Sequence, residues 1–259
     1  MNPELSYGEK PADAEAAPKN FFSRLIGVYF SPGETFAGMA AAPRALVPII
    51  VFVLFTVISA TAITSRMPMD KINEDQIQRR IASGRINEEQ ANQQREAMAR
   101  FAPFMKFVIP IGAAVSAIVM VFAFAGLAKL VSMMMGIENK YMPLVSVTTY
   151  TLLAMAIVTT AIFALLLFIK PLDEFDWDNP IGSNLAALLT ALGVGGLSRF
   201  VTVLLSFVDV FYIWKVALIA IGCAAVSRKL KTSSAIVYAG LVASVIALIF
   251  ASFGAIFGG

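Results

Sequence analysis

Apolar residues in this chain gather into long unbroken runs, not into the alternation of a half-buried strand or the narrow stripe of a soluble helix. Five runs reach the roughly 20 apolar residues that a helix needs to cross a hydrocarbon core. They lie near residues 44–64, 107–132, 144–169, 208–227 and 234–257. A backbone in lipid must satisfy its own hydrogen bonds, and the period-two pattern of a barrel is absent, so each run is predicted to be a helix. The expected fold is all-α: a polytopic integral membrane bundle of five transmembrane helices with short interfacial helices.

The segments between the runs set the domain plan. Residues 1–20 mix charges without an apolar core, so they read as a disordered tail and not as a secretory signal. Residues 21–43 read as interfacial amphipathic helices. Phe21, Phe22, Leu25, Ile26 and Tyr29 recur at helical spacing around Arg24, which suits a helix in the headgroup plane. Ser31, Pro32 and Glu34 have the spacing of a capping box that opens a second short helix. The simplest role is an anchor that orients the first span, beside which a membrane-sensing device stays open. Residues 44–257 form the five-span domain, interrupted by a polar insertion at 65–106. There Asn73 is expected to cap a helix that runs through Ser83, and Asn87 to start another that stops near Pro103. This helical hairpin reads first as a solvated face and second as a place for partner recognition.

Residues 183–206 pose a counting problem. If the chain turned at "GVGG", residues 193–196, a ten-residue helix before it would reach only about 15 Å, half a bilayer. Two short re-entrant or interfacial helices, 184–192 and 197–206, are therefore expected, with a sixth span as the alternative. In the last run Ala235, Ala239, Ala243, Ala247, Ala251 and Ala255 recur every fourth residue, widened by Gly240 and Ser244. Small side chains on one stripe allow close helix approach, within the monomer by default and in a homodimer as the alternative.

Composition narrows the chemistry. The 259 residues are 58% hydrophobic and 14% charged, which fits a membrane class. Histidine is absent and Cys223 is the one cysteine, which removes intrachain disulfides, the usual zinc and haem ligand sets and histidine acid–base work. No cofactor or metal is expected. The net charge of +3 is scattered over loops, so nucleic acid is not an expected partner; the lipid bilayer is, with homo-oligomers or other membrane proteins as candidates.

A charge near mid-bilayer costs about 2.5–3.5 kcal/mol on insertion scales, so each one needs a role or an escape. The stretch "FVDVFYIWKVALIAIG", residues 207–222, holds Asp209 and Lys215. Asp209 is expected near the outer border, where Arg199 could meet it if the chain folds back. Six residues separate it from Lys215, which places the two about 120° apart on a helix and makes a direct pair poor. Lys215, beside Tyr212 and Trp214, is expected to snorkel or to reach a polar gap, and Lys129 to reach the inner face. These four residues form a candidate polar network, structural first and a transport path second. A protease centre lacks its parts: there is no histidine, and there is one clear intramembrane acid.

Three stretches carry a resemblance: "YFSPGETF", "KLVSMMMGIENKYMPLVSVTTYTLLA" and "DVFYIWKVALIAIG" followed by a basic turn. In this order, with five spans, they resemble the Yip-domain family of Ypt/Rab-interacting proteins, and most of all its bacterial branch, over most of residues 22–250. The resemblance implies a helical membrane fold with a cytoplasmic N-terminus, in a bacterial cytoplasmic membrane. It decides a positive-inside comparison that the basic insertion at 65–106 and the basic turn near 228–231 otherwise leave even. Eukaryotic relatives act in vesicle traffic, membrane shaping and Rab binding. The "DLYGP" element of the trafficking members is missing, so Rab binding is not carried over. The expected function is a non-enzymatic membrane scaffold or adaptor, with a small-solute or ion transporter or channel past Asp209 and Lys215 as the alternative. No internal repeat supports that alternative.

Overall fold

The computed structural model describes residues 20–171, 175, 177, 179–227 and 230–257. All but the last residue of the expected tail, residues 172–174, 176 and 178 of the acidic stretch at 171–180, and Arg228 and Lys229 of the basic turn lie outside the described residues. Within them the chain is helical, without a strand: α1 Phe21–Phe30, α2 Pro32–Ala41, α3 Leu46–Thr64, α4 Met69–Ala82, α5 Glu88–Met134, α6 Tyr141–Ile169, α7 Leu185–Ala191, α8 Arg199–Ser206, α9 Val210–Ser227 and α10 Thr232–Phe257. Five of these helices, α3, α5, α6, α9 and α10, are long and apolar enough to cross a membrane. Their alternation puts α1, α2 and the α5–α6 turn on one face, here the near face, and the α3–α5 insertion with α7 and α8 on the far face.

The post of the bundle is α6. Its residues from Pro143 to Met155 are buried on every side, packed by α1, α2, α3, α5 and α9. A helix enclosed all round has to be apolar or to satisfy its polar groups locally. Thr149 does the latter by donating its hydroxyl to the Val145 carbonyl at 2.7 Å, whereas the hydroxyls of Ser146, Thr148 and Thr151 in the same stretch are buried without a partner among the described residues. Val147 marks the tightest approach, because a Cβ placed on Gly222 of α9 would run into its side chain. The α5–α6 turn is locked as well. Gly136, at φ 67°, closes α5, Lys129 donates to the Asn139 carbonyl at 2.5 Å, and the Asn139 amide donates to Ser132 at 2.9 Å.

Several elements depart from the sequence expectations. The capping box at Ser31 does not form: its backbone N–H donates to the Gly27 carbonyl at 2.8 Å and closes α1, so Glu34 has no amide there to accept. The first helix of the insertion begins at Met69 and not at Asn73. Pro68 precedes it, where a missing N–H costs nothing, and Asp70 sits in its first turn. The second begins as expected, with a complete capping box between Asn87 and Gln90. It does not stop near Pro103, however. It continues through Pro103 and Pro110 as one helix of 47 residues, about 70 Å against a hydrocarbon thickness of about 30 Å. Lipid offers a broken backbone no partner, so losing a proline's single bond costs less than leaving the helix.

The part of α5 outside the apolar run holds the hairpin together. Arg95 makes a two-pronged contact with Glu74 of α4, at 2.9 and 2.7 Å, while Ile77 and Ala91 are buried between the helices. The hydrogen bonds from Arg95, and then from Gln78, hold the Glu74 carboxyl down at about 2.

Two outcomes test this packing. Gly222→Ala should destabilise the protein by about 1–3 kcal/mol through overpacking, and adding Val147→Ala should return part of that loss, read as unfolding midpoints in detergent. Because Glu74 titrates lower folded than unfolded, its contribution is complete above the ordinary value of 4.5 and is lost as pH falls toward about 2. Amide protection factors at the α4–α5 contact, with the intrinsic pH dependence of exchange divided out, should therefore hold steady above pH 4.5 and fall only below it, and Glu74→Gln should abolish that transition.

Candidate functional site

A cavity of about 470 Å³ opens between α3, α5, α6, α8 and α9 toward the far face, and both Asp209 and Lys215 line it. Its wall is mostly apolar, from Phe52, Leu152, Met155 and Phe211, with the hydroxyls of Thr56 and Thr159 already donating to carbonyls of their own helices.

Each charge is held by local structure. Asp209 sits where the chain returns from α8 into α9. One carboxylate oxygen accepts the Tyr212 backbone N–H at 2.7 Å and so caps α9; the other accepts the Ser183 hydroxyl. Beside it the Leu185 N–H donates to the Val208 carbonyl at 3.0 Å, and Asn184 and Asp209 form an isolated antiparallel bridge. This closure ties the α7–α8 excursion to the start of the span. The two short helices stand where the sequence placed them, and Gly193 at φ 80° ends α7 by donating to the Thr190 carbonyl at 3.0 Å.

Lys215 is half-buried, with its ammonium 4.8 Å from the Phe124 ring centroid and 5.0 Å from that of Tyr212. Aromatic faces attract a cation at this range, and the attraction grows when water is excluded. No carboxylate comes within ion-pair distance of Lys215 among the described residues.

The four charges singled out from the sequence do not form one network. Asp209 and Lys215 share the cavity. Arg199 is exposed at the first turn of α8 and makes no ion pair with Asp209, whose oxygens are taken by Ser183 and Tyr212. Lys129 serves the near-face turn. The alanine stripe faces inward along most of its length: Ala235 and Ala239 pack with Ala220 and Ala224 of α9, and Ala247 and Ala251 are buried, while Ala255 is exposed. The stripe is thus used within the monomer.

The structure also brings forward residues that sequence periodicity assigned elsewhere. Arg24, around which the apolar residues of α1 recur in the sequence, is 4% exposed and donates to the Ala42 carbonyl at 3.1 Å. The helix is turned so that Phe22, Ile26 and Phe30 face outward. Its spacing of four was the available signal, since those residues form one stripe and Arg24, Gly27 and Val28 the opposite one.

This arrangement extends over nearly the whole chain, and the family model of the Yip1 domain matches residues 26–254. The chain belongs to the Yip1 domain family. The match takes in all five spans, the α5–α6 turn and the Asp209 junction of this Yip1 domain. It makes the protein a multi-pass membrane protein and does not assign it a reaction. Neither curated proteins nor solved structures yield a match.

Asp209→Ala should lower stability by about 1 kcal/mol, the usual value of a lost N-cap, whereas Asp209→Asn, which keeps an acceptor, should lower it less. A double-mutant cycle with Ser183→Ala should be non-additive. Unfolding midpoints of the four variants check this.

Proposed function

We propose that this Yip1-domain protein is a non-enzymatic scaffold or adaptor of the bacterial cytoplasmic membrane. Its N-terminus and near face lie in the cytoplasm, and the α4–α5 hairpin is its main surface for association. The observation that carries the proposal is the hairpin itself. It is capped, ion-paired and carried beyond the apolar run on the same rigid helix that crosses the membrane, so a load placed on it reaches the bundle directly. The orientation rests on the short basic turn near 228–231, since short loops follow the positive-inside rule best, and on Arg44 and Lys140 on the same face.

A transport role is the second reading, favoured by the cavity that Asp209 and Lys215 share. Against it, Leu144, Val147, Tyr150 and Leu218 pack at full burial on the near-face side of that cavity. Both charges are also held by helix-capping and aromatic contacts.

Two measurements on one preparation separate these readings. Replacing residues 66–87 by a glycine–serine linker should remove the neighbours that crosslink to the wild-type hairpin in native membranes. Proteoliposomes of the wild type should show no flux that responds to Asp209→Asn or Lys215→Met. Crosslinked neighbours unchanged by the linker would sink the adaptor role, and a selective, mutation-sensitive flux would establish the transporter.

A further inference from the structure

The cavity shared by Asp209 and Lys215 holds its polar and apolar groups in a fixed order of depth. Asp209 stands at the mouth, directly before α9 begins at Val210. Lys215 follows about 9 Å deeper along that helix. Phe52 lines the inner end, about 18 Å from Thr64, where α3 reaches the far face, and so lies near the middle of a hydrocarbon core about 30 Å thick. Leu152 and Met155 of α6 continue that apolar wall.

The uncharged polar groups on the wall are already used. Thr56, Thr159 and Ser206 donate their hydroxyls to carbonyls of their own helices, and Tyr212 donates to the Ala243 carbonyl at 3.5 Å. The two charges keep capacity. A carboxylate offers about four lone-pair sites, and Asp209 fills two of them with the Tyr212 N–H and the Ser183 hydroxyl. The Lys215 ammonium carries three N–H donors, and its contacts among the described residues are the ring faces of Phe124 and Tyr212. Tyr212 lies one turn toward Asp209, so the ammonium leans to the mouth of the cavity. Acid and base together make the cavity neutral, which fits a zwitterion better than an anion. The matching ligand has its cation outermost, its anion next and an apolar body innermost.

We propose that this cavity binds an aminophospholipid of the far leaflet, with its primary ammonium at Asp209, its phosphodiester at Lys215 and its acyl chains against Phe52, Leu152 and Met155. In such a lipid a short ethanolamine link separates ammonium from phosphate, so one head group can serve an acid and a base set about 9 Å apart along a helix. A free amino acid carries its two charges side by side and is too short. Both contacts are charge-assisted hydrogen bonds, the strong kind. A volume of about 470 Å³ also falls within the roughly 300–1,000 Å³ of ligand sites that are mostly apolar with a few convergent polar groups. Lipid enters from the far leaflet and needs no passage through the packed near-face side. Failure of the adaptor or of the transport reading therefore leaves the site standing.

Native mass spectrometry of the full chain released from detergent tests the site. The probes are dioleoylphosphatidylethanolamine, dioleoylphosphatidylglycerol, dioleoylglycerol and glycerophosphoethanolamine, which is the head group without its chains. The wild type should retain phosphatidylethanolamine about tenfold better than dioleoylglycerol, and better than phosphatidylglycerol. Lys215→Met, which puts an apolar side chain into the span, should bring phosphatidylethanolamine down to the level of dioleoylglycerol. Asp209→Asn keeps an acceptor for the α9 cap. It should erase the preference for phosphatidylethanolamine over phosphatidylglycerol and leave both above dioleoylglycerol. If Asp209→Asn fails to fold, Lys215→Met and the wild-type comparison decide. Equal retention of phosphatidylethanolamine and dioleoylglycerol by the wild type would reduce the cavity to apolar contact and overturn the proposal. Retention of phosphatidylethanolamine unchanged in Lys215→Met would overturn it as well. Phosphatidylglycerol held as well as phosphatidylethanolamine by the wild type would take Asp209 out of the site, against the aminolipid assignment. Glycerophosphoethanolamine that bound alone and displaced the lipid would make it a site for a free head group, against the lipid assignment.

Discussion

A peptide group in hydrocarbon can bond only to another peptide group, and the architecture follows from that restriction. It keeps α5 helical through Pro110, where the same residue in water would mark an end. It also sends the irregular backbone to the two faces. The left-handed glycines lie at 84, 136, 182, 193 and 196, each in a connection and none within a span. The hydroxyls of Thr56, Thr149 and Thr159 obey the same restriction, since each turns back onto a carbonyl of its own helix.

Within that limit, close approach to α6 organises the bundle. Lipid tails are as apolar as leucine, so helices gain little by leaving lipid for each other, and small residues that admit a neighbour take over. Gly222 does this against Val147, and Gly27 of α1 does it against Thr35 of α2. The alanines of α10 do it against Ala220 and Ala224. The hydroxyls of Thr35, Ser146, Thr148 and Thr151 are buried without a partner among the described residues, all near this same post. Tyr29 adds a polar clasp by donating to the Ala154 carbonyl at 2.6 Å, which fixes α1 across α6.

Charges then settle where local structure can hold them. Asp209 ends as a helix cap at a chain reversal, Lys215 over two rings, Lys129 on a turn carbonyl and Glu74 against Arg95 outside the bilayer. Arg24 is drawn inward, where the Ala42 carbonyl receives it and no ion pair forms among the described residues. The outer surface of α1 is correspondingly apolar, the reverse of a soluble amphipathic helix. That inversion is what one expects where the solvent on the outside is lipid and the inside is polar enough to hold a guanidinium.

The number and type of spans were legible in the sequence because hydrophobic length is a local property that the bilayer reads directly. The family was legible too, from three stretches in a fixed order. Local chemistry also announced the Asn87 cap and the glycine break at 193–196. The fate of Ser31, the passage of α5 through Pro103, the separation of Arg199 from Asp209 and the inward turn of Arg24 were decided only by the fold. Each depends on which neighbour takes a hydrogen bond, a carboxylate oxygen or a helix face. Residues far apart in the chain compete for those partners, and no spacing along a single helix records which of them wins.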